Sequence, residues 1–128
     1  MGRMRTLLTT AALACAGSTA AFGGQGLLYD FASCAGRLSA QMEHEWLWSL
    51  PASVQTERHR NEMVELVQAM MEPGEAVDVL DVRISAKVAH ARLLQRASFN
   101  ESRDDAAWAE EKARWDIDQC RGFLLASS

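Results

Sequence analysis

Leu27-Leu28-Tyr29-Asp30-Phe31-Ala32-Ser33-Cys34-Ala35-Gly36-Arg37-Leu38, early in the chain, and Trp115-Asp116-Ile117-Asp118-Gln119-Cys120-Arg121-Gly122-Phe123-Leu124-Leu125, near its end, decide the fold. Apolar residues recur in both at helical spacing, and each cysteine falls on the apolar stripe of its own helix. The pair is expected to form a disulfide that ties the first helix to the last, with everything else arranged between them.

Working outward, the segment before Leu27 reads as a secretory leader. Arg3 and Arg5 give a positive start, Thr6 to Ala16 a short apolar run, and small residues offer cleavage after Ala20 or Gly23. Residues 1–23 are therefore assigned to a cleaved signal peptide and 24–128 to one helical domain. Its removal takes Arg3 and Arg5 from the 13 basic side chains, leaving 11 against 17 acidic ones, so the formal charge falls from −4 to −6. Cys15 goes with it, and the two remaining cysteines suit an exported chain in an oxidising compartment, periplasmic or secreted. A net negative surface argues against nucleic acid as a partner, and no stable membrane insertion is expected once the leader is gone.

The composition, 48% apolar and 23% charged in 128 residues, is that of a single soluble domain. Phe31, Cys34, Leu38, Met42 and Trp46 place a first helix over about 27–48, with Arg37, Gln41 and His44 on its outer side and Glu45 near the stripe. Pro51 breaks it. His59, Met63, Leu66 and Met70 define a second helix over about 52–71, which Pro73-Gly74 ends. Val77, Leu80, Ile84, Val88, Ala91 and Leu94 line a third over about 75–97; its first residues alternate like a strand, but its unbroken length favours a helix. Ser102-Arg103-Asp104-Asp105 fits the start of a fourth, over about 102–121, with Gly122 as its cap.

Four helices with short links pack most simply as an up-down-up-down bundle. The start of the first and the end of the last then lie at one end, which sets Cys34 and Cys120 at similar heights. The pairing inferred from export and the topology inferred from pattern agree.

Chemistry is thin by comparison. His44, His59 and His90 stand on different helices, without the His-x-x-x-His or Glu-x-x-His spacing that builds metal sites in bundles. His59 and Met63, four apart, are the weak metal candidates, although methionine on a helical stripe commonly fills a core. Glu45 is a candidate buried acid or base, but Glu43 projects from another face, so no carboxylate pair follows. No Gly-x-Ser-x-Gly or Cys-x-x-Cys motif is present, and neither catalysis nor a bound cofactor is expected. Trp108 and Trp115, seven apart with Lys112 between them, share one face of the fourth helix, nearly opposite the stripe of Ala109, Ala113, Ile117 and Cys120. That aromatic face either packs within the domain, against Trp46 or Trp48, or meets another protein. The sequence reading is of an exported, non-enzymatic binding protein. The alternatives are a metal or cofactor carrier using His59 and Met63, then a small hydrolase using Glu45.

Overall fold

The computed structural model describes residues 23–127; the assigned leader, Cys15 included, lies outside them except for Gly23. It is all-α: helix α1 (Gly23–Leu47), α2 (Ser53–Met70), a single 3₁₀ turn (Pro73–Glu75), α3 (Ala76–Ser98) and α4 (Arg103–Ala126), with no strand among the described residues. Cys34 and Cys120 are joined by a disulfide with their Cα atoms 5.4 Å apart.

Local chemistry sets the breaks. After α1 the chain turns through Ser49, which takes a positive φ of 52°, and Leu50 N–H donates back to the Glu45 carbonyl. Glu72 and Glu75 cap each other's backbone around Pro73, at the first position of the 3₁₀ turn. The Ser102 hydroxyl accepts from Asp105 N–H at 3.4 Å, so the Ser102 cap starts α4, with Asp104 and Asp105 in its positive first turn.

α1 is the central helix, packed against each of the other three. Leu28, Phe31, Cys34 and Leu38 are its core residues, meeting Met63 and Val67 of α2, Val79 of α3, and Ile117 and Cys120 of α4. α1 and α3 run in the same direction, with Gln41 opposite His90 and Trp48 stacked on Phe99 at their far ends. α2 and α4 return the opposite way, so the path is up-down-up-down.

Four details differ from the sequence reading. First, the α3 stripe expected inside is largely outside: Val77, Leu80, Ile84 and Val88 are 71, 52, 51 and 43% exposed, and only Leu94 of that set is buried. α2 and α3 do not pack on each other. Instead α3 lies against the small side of α1, where Ala32, Gly36 and Ala40 are buried. Gly36 lets the α3 backbone come so near that a Cβ there would collide with the Arg83 carbonyl and lie 2.9 Å from Lys87 N. The Lys87–Glu43 ion pair and the His90–Gln41 contact fix the rotation of α3, turning its apolar stripe away.

Second, α4 runs through Gly122 to Ala126, because Phe123 and Leu124 pack on the core, Phe123 edge-on to Phe31 at 5.5 Å. Third, the α1 stripe continues from Met42 to Glu45, which is buried, while Trp46 is exposed. Fourth, Gln41 and His44, expected on the outer side, are half-buried and line a half-open cleft. No helix among the described residues is long and apolar enough to cross a membrane.

Candidate interaction face on the fourth helix

α4 has two faces because its sequence does. Ala109, Ala113, Ile117 and Cys120 are buried, held inward by the bridge to α1. Trp108 and Trp115 emerge on the other side, 51 and 54% exposed. Neither packs on Trp46 or Trp48; Trp48 stacks on Phe99 with ring centroids 6.1 Å apart and meets His44 edge-on.

Each α4 indole carries a cation. The Arg96 guanidinium lies 5.0 Å from the Trp108 ring centre, and the Lys112 ammonium 5.1 Å from that of Trp115. Both cations are held by carboxylates. Arg96 bonds Asp105, which holds that carboxyl below its ordinary range and raises the guanidinium. Lys112 pairs with Asp116, one turn on and buried. The rings are thus steadied in open positions, offering flat apolar area with charges already placed beside it. Trp108, Glu111, Lys112 and Trp115 line a shallow depression between them. Arg96 is the member that sequence reading missed, since it sits on α3 and no spacing along one helix links it to Trp108.

The other candidates do not assemble into a reactive site. Glu45 is buried and accepts from Gln41 Nε2 at 3.0 Å. Gln41 thereby turns its oxygen to His90, whose Nε2–H donates to it at 3.0 Å. His90 is buried and its pKa is lowered to about 4, chiefly by desolvation, against the opposing charge of Asp116. This part-buried Glu45–Gln41–His90 chain was not evident from spacing, although Gln41 and Glu45 are four apart on one helix. Glu43 is elsewhere, paired with Lys87 at the surface. The cleft beside the chain, about 410 Å³, is bordered by Gln41, His44, Leu94, Arg114 and Arg121. Arg114 and Arg121 are paired with Glu110 and Asp118.

Met63 is fully buried in the hydrophobic core. His59 has its pKa lowered by burial first and by the Arg121 charge second. Among the described residues no group of three or more His, Cys, Asp or Glu side chains could hold a metal ion. Compared with family models, curated proteins and solved structures, the chain has no match.

Proposed function

We propose that this is an exported, non-catalytic protein that binds another protein through the Trp108–Lys112–Trp115 face, in an accessory, assembly or inhibitory role in the periplasm or outside the cell. The observation that carries the reading is the pair of half-exposed indoles on a helix whose opposite face is pinned inside by a disulfide. Leaving two such rings in water forgoes the large burial each could have had, and tryptophan and arginine are the residues that most often dominate binding energy. Arg96 belongs to the same surface. The disulfide and the leader pattern support export.

The test is capture from the exported fraction of the native host, with the native protein as bait. The reading expects a defined protein partner retained by the wild type and lost when Trp108 and Trp115 are both changed to alanine. Equal retention by both baits would move the binding surface elsewhere.

A further inference from the structure

The open face of α3 is a second surface, independent of the tryptophans. Val77, Leu80, Ile84 and Val88 follow one another at spacings of three, four and four, along a stripe on the side of α3 away from α4. A helix with such a stripe ordinarily buries it, and here no other helix among the described residues does so.

We propose that a second copy of this chain covers it, with the two α3 helices antiparallel across a twofold axis. The charge pattern beside the stripe identifies the occupant. Asp81, Ser85 and Arg92 lie along a single edge of the stripe, at spacings of four and seven, and all three are exposed. Neither Asp81 nor Arg92 has an ion-pair partner among the described residues. In an antiparallel pair of helices, residues on the same edge face each other across the axis. An axis near position 86 places Ile84 against Val88 of the other copy. The same axis, within half a residue, places Asp81 against Arg92 of the other copy, twice over by symmetry. Parallel pairing about a twofold axis would instead put this edge of the two copies on opposite sides of the contact, where Asp81 and Arg92 could not meet. Apolar register and charge register thus select the same arrangement, as a self-complementary surface requires. A contact of one helix face is at the small end of protein interfaces, so the dimer is expected to dissociate on dilution.

Mass measurement by light scattering and sedimentation, on the protein purified from its native host over a wide concentration series, tests the proposal. The wild type should pass from monomer to dimer as concentration rises. Asp81→Arg should weaken the dimer by about tenfold or more, because it sets like charges against each other at both ends of the contact. The exchange Asp81→Arg with Arg92→Asp should restore it to near the wild-type constant. Ile84→Lys should give monomer with unchanged helix content and, at dilutions where the wild type is also monomeric, an unchanged melting temperature, since Ile84 takes no part in the fold's core. A wild type that stays monomeric throughout, or a dimer indifferent to Asp81→Arg, would overturn the proposal. So would a dimer lost in the Trp108→Ala/Trp115→Ala variant but kept in Ile84→Lys.

Discussion

Gly36 of α1 lies directly against the backbone of Arg83 in α3, with no room for a Cβ between the two helices. A glycine within a helix costs about 1 kcal/mol relative to alanine, so Gly36→Ala would stabilise the protein if space allowed. Here the atoms it would strike are a carbonyl and an amide of the neighbouring helix, which cannot swing aside as a side chain can. The helices must separate, breaking the Lys87–Glu43 and His90–Gln41 contacts. Gly36→Ala is expected to lower stability by about 2 kcal/mol or more, the overpacking cost outweighing the propensity gain. Gly122→Ala is the control: nothing lies within 4 Å of its added Cβ, and it should raise stability by up to about 1 kcal/mol. Denaturant unfolding of both variants gives the comparison.

The disulfide closes a sequence separation of 86 residues, worth about 4–5 kcal/mol on the chain-entropy account. That is a large share of the roughly 5–15 kcal/mol typical of a domain. Cys34→Ser or Cys120→Ser should cost about 2–5 kcal/mol. The native protein should weigh about 2 Da less than its reduced form, as loss of two hydrogens in one S–S bond requires. Two free thiols in the folded exported protein would contradict the pairing.

The leader reading places the first residue of the mature protein between Ala21 and Gln25. α1 is described from Gly23 onward, so cleavage within that window would remove at most the first two of its described residues. N-terminal sequencing of the exported protein decides the point, and Arg3 retained in it would refute cleavage.

His90 makes stability depend on pH. Its folded pKa is about 4 against an ordinary value of 6.5, so between these values the unfolded chain takes up a proton that the folded protein excludes. Stability is therefore full well above pH 6.5 and falls as the pH drops toward 4, by about 3–4 kcal/mol at most at about 1.4 kcal/mol per pH unit. Asp116 opposes the shift, while Arg37, Lys112 and His44 reinforce it. Urea unfolding at a series of pH values should show the decline. His90→Gln, which can still donate to Gln41, should remove the His90 share of it and leave that of His59, whose pKa is also lowered.

The number of helices and the breaks between them were legible because those breaks are local chemistry: Pro51, Pro73-Gly74 and the Ser102 cap act within a few residues. The rotation of α3 was not. Apolar residues occupy most of its circumference, from Val77 and Leu80 round to Val82, Ala86 and Leu93, so periodicity names no unique inner face. The choice was made by a close approach at Gly36 and by partners on α1, which no single-helix pattern contains. Gly122 failed as a stop signal for a similar reason, its local preference overridden by burial of Phe123 and Leu124 beyond it. Glu45 and His90 were legible as residues but not as a chain, because Gln41 joins them only once α1 and α3 are side by side. The two-faced character of α4 was legible because Cys120 fixes which side points inward, and Trp108 and Trp115 then have only the other side to occupy.

The central claim is that the tryptophans of α4 serve a partner rather than the fold, and the melting temperature of the Trp108→Ala/Trp115→Ala variant tests it most directly. Fully buried rings cost about 3–5 kcal/mol each on truncation, and each kcal/mol moves the melting temperature of a domain this size by about 4–8 °C. Rings that serve a partner leave the melting temperature of the variant within a few degrees of wild type while partner capture is lost. A fall of about 20 °C or more would assign both rings to the core and contradict that claim.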